Sequence, residues 1–179
     1  MLWLPRFEPK DVVALLPRAT AVMGVPTFYT RLLAEPSFTR QACGSVRLFV
    51  SGSAPLLPET FHAFEQRTGQ RILERYGMTE TGMNTSNPLA GERRPGTVGP
   101  PLPGVSVRIV DEQGAPCPPG AVGGIEVKGP NVFAGYWRNE DATHEALTRE
   151  GWFHTGDVGE VDDEGFVRIT GRKKEILVT

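Results

Sequence analysis

The chain has 179 residues, of which 39% are hydrophobic and 22% charged, and its formal net charge is −2. These values suit one ordinary globular domain with its own core and argue against a disordered or membrane-embedded chain. The slight acidic excess disfavours a general nucleic-acid binder, because phosphate backbones are bound through basic surfaces. We expect no membrane span, since no apolar stretch approaches ~20 residues, and no secretory signal at the N-terminus.

Two cysteines, Cys43 and Cys117, lie far apart in the sequence. This pattern predicts reduced thiols in a cytoplasmic protein rather than a disulfide framework. The three histidines, His62, His144 and His154, lack the spacing of metal ligands.

Helix and strand signals alternate in the first part of the chain. A helix is predicted at "DVVALL" (11–16), with Asp11 as its cap and Pro17 as its end. A second helix is predicted between Pro58 and Gly69, and a third at "TFYTRLLAE" (27–35). A buried strand is predicted at "TAVMGVP" (20–26), a strand that runs into a Gly/Ser/Pro turn at "VRLFVSGSAPL" (46–56), and a further strand at "QRILERYG" (70–77). This alternation predicts a parallel α/β layer, which we assign to residues 1–95.

Glycine and proline become dense from about residue 91, and short alternating runs follow. "VDDEG" (161–165) is a hairpin turn signal, and one helix, "NEDATHEAL" (139–147), is predicted with Asn139 as its cap. We therefore expect residues 96–171 to form a small antiparallel β-barrel or distorted sheet. The predicted fold class is α/β with this β-rich subdomain.

The segment "VSGSAPL" (50–56) leaves a buried strand and turns sharply before a helix. Gly52 and the small side chains after it allow a ligand to approach the backbone at a strand end, where ligands of α/β sheets usually bind. A plain strand-to-helix turn is the alternative.

The segment "RYGMTET" (75–81) also follows a strand. Tyr76 offers a flat face for a base, Thr79 a hydroxyl for a phosphate, and Glu80 a hard oxygen ligand for Mg²⁺. A polar turn with a buried tyrosine is the alternative.

Two later segments carry charged side chains beside glycines. In "GWFHTGDVG" (151–159), Asp157 is placed to accept hydrogen bonds from two vicinal hydroxyls, as ribose sites require. In "GRKKE" (171–175), Arg172 presents a planar fork suited to phosphate or ribose. A turn aspartate and a solvated basic turn are the alternatives.

These motifs, with "GPNVFAGYW" (129–137) between them, occur in an order that resembles the adenylate-forming superfamily of acyl-CoA synthetases, luciferases and peptide-synthetase adenylation domains. The resemblance covers nearly the whole chain. It implies a reaction in which ATP activates a carboxylic acid to an acyl-adenylate, and a thiol, usually that of coenzyme A, then accepts the acyl group. ATP, Mg²⁺, coenzyme A and a small carboxylic acid are the implied cofactors and partners.

The resemblance also implies roles for particular residues. Tyr76 would stack on adenine, Asp157 would bind the ribose hydroxyls, and Arg172 would contact the ribose–phosphate region. Thr79 and Glu80 would be the catalytic pair, with Thr79 on the ATP phosphates and Glu80 on Mg²⁺.

Further residues are assigned to the pocket and to a hinge. The adenine and acyl pocket would be lined by Gly52, Ser53, Ala54 and Pro55, and Gly77 and Met78 would lie by the reacting carboxylate. Lys174 would be a hinge, so that residues 172–179 would lead to a C-terminal domain.

Within the superfamily, "ERYGMTETGMNTSNP" (74–88) and "IEVKGPNVFAGYW" (125–137) are most similar to malonyl-CoA and methylmalonyl-CoA synthetases. A dicarboxylate needs a cation for its second carboxylate, and Arg31 and Arg75 are the candidates. The last residues, "GRKKEILVT" (171–179), are more similar to long-chain fatty acyl-CoA synthetases. A fatty or aryl acid is therefore an alternative substrate.

The family's lysine-containing phosphate loop has no match in the sequence, nor does its adenylation lysine. We therefore expect part of a larger enzyme's N-terminal domain, with N- and C-terminal portions of that enzyme missing. Alone it would show little or no catalysis, and it would be poorly soluble or would self-associate unless the missing part is supplied. A non-catalytic remnant or nucleotide-binding module is the alternative, whereas a dehydrogenase is disfavoured by the absence of a GxGxxG loop.

Overall fold

The computed structural model describes residues 1–173, so the predicted hinge residue Lys174 lies outside the described residues. The chain divides into two compact units. The first unit is Met1–Glu74 with Pro88–Gly96, and the second is Arg75–Asn87 with the described residues from Thr97 onward. The segment 75–87 thus packs with the second unit, although it precedes the predicted division at 95/96. That division stays a prediction, because compact units are not necessarily independent domains.

The first unit alternates helices and strands, as predicted. Its elements are α1 (Pro9–Leu15), a 3₁₀ turn (Leu16–Arg18), β1 (Ala21–Gly24), α2 (Pro26–Leu33), β2 (Leu48–Ser51), α3 (Pro58–Thr68) and the start of β3 (Leu73–Met78). Strands β1 and β2 pair in parallel, and β2 pairs in parallel with the start of β3. The predicted parallel α/β layer is confirmed.

The core of the first unit is aromatic. Phe49 on β2 packs against Phe64 on α3 with ring centroids 4.9 Å apart, and Tyr29 on α2 lies 5.5 Å from Phe64. The Tyr29 hydroxyl donates to the Val50 carbonyl at 2.6 Å, so its polar end is satisfied inside the core. Cys43 is a free thiol in this core, and burial raises its pKa to about 11.

The ends of the helices agree with the sequence prediction except at the start of α1. Helix α3 begins at Pro58, and Gly69 ends it in the left-handed region with φ +73°. Helix α1 was predicted to open at Asp11, but it begins at Pro9, and Asp11 lies in its first turn. Proline at the first helical position needs no amide donor, which explains the earlier start.

The second unit is built from antiparallel strands. The rest of β3 pairs with β4 (Gly82–Ser86), which was not predicted. A four-stranded sheet follows in the order β5-β6-β7-β8. Its strands are β5 (Ser106–Val110), β6 (Gly123–Lys128), β7 (Phe153–Val161) and β8 (Val167–Arg172).

Of the two predicted forms of this subdomain, the described residues form an open sheet, because β5 and β8 are its edges. The hairpin at "VDDEG" joins β7 to β8, where the Gly165 amide donates to the Asp162 carbonyl at 3.0 Å. Helix α4 (Glu140–Ala146) precedes β7, and Asn139 caps it by accepting from the Ala142 amide at 3.1 Å. Both local predictions are confirmed.

Residues of β7 alternate between buried and exposed. Phe153, Thr155 and Asp157 point into the second unit, while His154 and Gly156 are exposed. The core behind them is formed by Tyr76, Val98, Ile109, Ile125, Val127 and Val167. Asp157 is therefore placed at the edge of an apolar core by strand periodicity. No helix among residues 1–173 has the length and apolar character needed to cross a membrane.

Candidate functional site

Asp157 and Arg172 are direct cross-strand neighbours on β7 and β8. The Arg172 Nε donates to Asp157 Oδ1 at 2.8 Å. A register shift between Val158 and Gly159 creates this pair, because the register that joins Val161 to Val167 would otherwise bring Gly171 opposite Asp157. The bulge therefore aims the guanidinium at the carboxylate.

Tyr76 reaches the same carboxylate from β3. Its hydroxyl donates to Asp157 Oδ2 at 2.5 Å, across 81 positions of sequence. The ring lies in the second core and is 7% exposed. Burial, followed by the neighbouring Asp157, raises the pKa of Tyr76, so the phenol stays protonated and remains a donor. The predicted stacking of this ring on adenine stays a prediction.

The three side chains form what we call the Asp157 cluster: Tyr76, Asp157 and Arg172. An ionised carboxylate has about four lone-pair sites. Tyr76 takes one on Oδ2 and Arg172 one on Oδ1, so each oxygen retains capacity for a further donor. The Arg172 side chain is 59% exposed, whereas that of Asp157 is 7% exposed. The cluster can accept hydrogen bonds from hydroxyls and offer a cation to an anion.

The turn between β3 and β4 carries Thr79 and Glu80. Thr79 is exposed and Glu80 is half-buried. Gly77, just before the turn, permits a close approach of the two strands, since a Cβ there would collide with the Gly82 carbonyl oxygen. Met78 closes the turn by accepting from the Thr81 amide at 3.2 Å.

Glu80 fits a particular kind of metal site. No group of three or more His, Cys, Asp or Glu side chains able to hold a metal occurs among residues 1–173. Mg²⁺ is commonly bound through one or two carboxylates together with substrate phosphates and water. A single hard oxygen ligand on an accessible turn matches that pattern, and Glu80 would be the residue that holds the ion.

The predicted pocket loop, Gly52–Pro55, belongs to the first unit. Ser53 has a positive φ of +69°, and Ser53, Ala54 and Pro55 are exposed. Just after them, the Leu56 amide donates to Glu74 Oε2 at 3.3 Å. Glu74 is 3% exposed, and burial raises its pKa to about 7. A buried carboxyl therefore supports this loop, which the sequence did not predict.

The two arginines proposed for a second carboxylate have different surroundings. Arg31, in the first unit, lies 3.6 Å from Glu8 Oε2 and 4.9 Å from the centre of the Phe7 ring. Arg75, in the second unit, directs Nη1 at the Met83 sulfur. Arg31 is thus already paired with a carboxylate, whereas the guanidinium of Arg75 contacts a weak acceptor.

Sequence reasoning assigned no role to Tyr136, whose hydroxyl donates to Glu80 Oε1 at 3.2 Å. It also missed the buried Glu126, whose Oε2 accepts from Arg108 Nε at 2.7 Å and whose Oε1 lies 2.7 Å from His154 Nδ1. Only the packing of distant segments brings these residues together. The sequence signal near Tyr136 is "GPNVFAGYW", which contributed to the family resemblance as a whole motif and gave Tyr136 no role of its own.

Comparison with known proteins decides the family. Residues 2–137 match the AMP-binding enzyme family. The chain belongs to this family. The resemblance to adenylate-forming enzymes is thereby confirmed. The fold agrees, since ATP-bound MatB from Rhodopseudomonas palustris superposes with a TM-score of 0.94 and 55% identity, over 96% of this chain and 34% of that one.

Curated relatives include ligases for different acids. Malonate–CoA ligase of Arabidopsis thaliana is 44% identical over 86% of this chain and 26% of its own length. Long-chain-fatty-acid–CoA ligase of Bacillus subtilis is 37% identical over 99% of this chain and 32% of its own length. The chain thus spans about a quarter to a third of the curated relatives it matches.

Proposed function

We propose that this chain supplies the nucleotide-binding part of an ATP-dependent carboxylate–CoA ligase acting on malonate or methylmalonate. The Asp157 cluster is the observation that carries the proposal. It joins three residues that sequence similarity assigns to nucleotide binding, in a chain 55% identical to an ATP-bound structure. The remaining capacity of Asp157 for donors suits the two hydroxyls of a ribose.

In the proposed reaction, the acid's carboxylate attacks the α-phosphate of ATP and releases pyrophosphate. The thiol of coenzyme A then attacks the acyl carbon of the resulting acyl-adenylate, loses its proton, forms the thioester and displaces AMP. Mg²⁺ would offset the repulsion between the two reacting anions. Asp157 would orient the ribose, Arg172 would contact ribose and phosphate, Thr79 would donate to a phosphate oxygen, and Glu80 would hold the ion.

The other assigned residues complete this proposal. Gly52–Pro55 would line the adenine and acyl pocket, with Gly77 and Met78 by the reacting carboxylate. Lys174 would be the hinge to a C-terminal domain.

The preference for a short dianionic acid has its own support. Sulfoacetate–CoA ligase of Cupriavidus necator is 44% identical over 86% of this chain, the same values as the malonate ligase. Malonate and sulfoacetate both carry a second anionic group, so a cation is expected in the acid site. Arg75 is the better candidate for this cation than Arg31, because Arg31 already pairs with Glu8.

A ligase for a fatty or aryl acid is the second candidate. The long-chain ligase of Bacillus subtilis matches 99% of this chain. A benzoate CoA ligase from Burkholderia xenovorans superposes with a TM-score of 0.87 at 31% identity. Both similarities are lower in identity than those to the malonate enzymes, so this candidate ranks second.

A segment exchange tests the proposal. This chain would replace the matching segment of Rhodopseudomonas palustris MatB, and pyrophosphate release would be measured with malonate, methylmalonate, octanoate and benzoate. Turnover with malonate or methylmalonate, abolished by Asp157→Asn, is the expected result. Turnover with octanoate or benzoate alone would favour the second candidate. A folded chimera that binds ATP without turnover would favour a non-catalytic nucleotide-binding module.

A further inference from the structure

We propose that Tyr136 is a positioning residue that holds the Glu80 carboxylate in place for binding of Mg²⁺ with ATP. The inference rests on the proposed function, in which Glu80 holds the ion. It concerns a residue outside the turn that carries Glu80, and 56 positions away from it in the sequence.

In the contact between Tyr136 and Glu80, the hydroxyl is the donor and the carboxylate is the acceptor. The Tyr136 hydroxyl donates to Glu80 Oε1 at 3.2 Å. Because the neutral donor holds only Oε1, the second oxygen of the carboxylate, Oε2, is left to a cation.

The backbone of the turn is held by the same segment of the chain. The Phe133 amide donates to the Glu80 carbonyl at 2.8 Å. The Asn131 side-chain amide donates to the Thr81 carbonyl at 2.8 Å and to Asn84 Oδ1 at 3.1 Å. Residues 131–136 therefore hold the main chain immediately after the Glu80 side chain.

The Tyr136 ring is itself anchored. Its centre lies 4.8 Å from that of Phe133, which packs edge-on against Phe153 of β7 at 5.5 Å. The Tyr136 amide donates to Thr143 Oγ1 of α4 at 2.9 Å. The hydroxyl is thus presented to Glu80 from a framework that includes the strand carrying Asp157.

A held carboxylate binds a cation at lower entropic cost than a mobile one. A glutamate side chain loses rotamer entropy when it is fixed. An arrangement that fixes it before the ligand arrives leaves more of the interaction energy for binding. Loss of the Tyr136 hydroxyl should weaken the binding that depends on Mg²⁺ and leave metal-free binding unchanged.

The test measures the affinity of this chain for ATP by calorimetry, once with Mg²⁺ and once with EDTA. The ratio of the two affinities is the Mg²⁺ enhancement. Wild type, Tyr136→Phe, Glu80→Gln and the double variant are compared. Trp137→Phe is the matched control, because Trp137 is the neighbouring aromatic residue and is 86% exposed. Circular dichroism shows whether each variant folds. If Tyr136→Phe does not fold, Glu80→Asp replaces it, because the shorter side chain draws the carboxylate away from the Tyr136 hydroxyl.

We expect Tyr136→Phe to reduce the Mg²⁺ enhancement about three- to ten-fold, with the affinity in EDTA unchanged. Glu80→Gln should remove the enhancement, and Tyr136→Phe should have no further effect in that background. Full enhancement in Tyr136→Phe, with loss in Glu80→Gln, would overturn the inference and leave the proposed function standing. Lack of enhancement in wild type, or full enhancement in Glu80→Gln, would overturn both.

Discussion

The hydroxyl of Tyr76 donates a 2.5 Å hydrogen bond to Asp157 Oδ2, and this contact joins two motifs that lie 81 positions apart. One motif ends a strand that begins in the α/β layer, and the other lies on β7 of the antiparallel sheet. Because Arg172 donates to the other oxygen of Asp157, both oxygens of the carboxylate are held by side chains of the chain itself.

Replacement of Tyr76 by phenylalanine isolates the hydrogen bond from the packing of the ring. We expect a loss of about 1–3 kcal/mol in the free energy of unfolding, because a nearly buried carboxylate oxygen loses its donor. Urea unfolding measures this loss. Tyr136→Phe is the matched control, because Tyr136 is 39% exposed. Loss of the Tyr136 hydroxyl should change the free energy of unfolding by less than about 0.5 kcal/mol. Equal effects of the two variants would contradict this account of Tyr76.

Arg172 and Arg168 allow a controlled comparison on one strand. Both lie on β8, with side chains 59% and 56% exposed, and each points Nε at a carboxylate. We expect Arg172→Gln to lower ATP affinity about ten-fold, as loss of a charged hydrogen bond to the nucleotide would do. Arg168→Gln should leave the affinity unchanged. Calorimetry with ATP and Mg²⁺ measures the affinity of both variants. An equal loss of ATP affinity in both would indicate a general effect of removing a positive charge.

Glu74 makes stability depend on pH in a defined direction. Its pKa is raised from 4.5 to about 7, chiefly by burial. The folded chain therefore binds this proton more tightly than the unfolded chain, so the stabilisation is present at low pH and is lost as pH rises from about 4.5 to 7. The loss is on the order of 3 kcal/mol.

Glu74→Gln mimics the protonated side chain and should remove this part of the pH dependence. Urea unfolding at pH 5, 6, 7 and 8 measures it in wild type and variant. Glu59→Gln, at an exposed position of α3, is the control and should keep the wild-type dependence. If the curves of wild type and Glu74→Gln stay parallel across this range, the buried carboxyl does not titrate as stated.

Gly77 is required by the geometry of the β3–β4 turn. A Cβ at this position would collide with the Gly82 carbonyl oxygen, so Gly77→Ala should cost about 1–3 kcal/mol of stability and displace Thr79 and Glu80. Gly124→Ala on β6 is the control, because its Cβ would be 3.6 Å from the nearest atom, in Val110. Thermal unfolding and ATP affinity are the measurements. Tolerance of alanine at Gly77 would show that the turn has room to adjust.

Much of the first unit could be predicted, because its elements are marked locally. Pro58 and Gly69 delimit α3, and apolar runs mark the parallel strands. Strand β4 could not be predicted, since "GMNTS" has no apolar alternation and is a strand only through its pairing with β3.

The candidate site could likewise be predicted only in part. The residue types of Tyr76, Asp157 and Arg172 indicated nucleotide chemistry from the sequence. Their mutual contacts could not be predicted, because they depend on a bulge in the β7–β8 pair and on packing across 81 positions. Tyr136 was missed for the same reason.

Binding of ATP with Mg²⁺ to this chain, measured by calorimetry, tests the central claim most directly. Wild type would be compared with Asp157→Asn and with Asp111→Asn, whose side chain caps an exposed turn. We predict binding by wild type and Asp111→Asn, and at least a ten-fold loss in Asp157→Asn. A folded wild-type chain that does not bind, or an Asp157→Asn variant that binds as tightly as wild type, would contradict the assignment of the Asp157 cluster to the nucleotide.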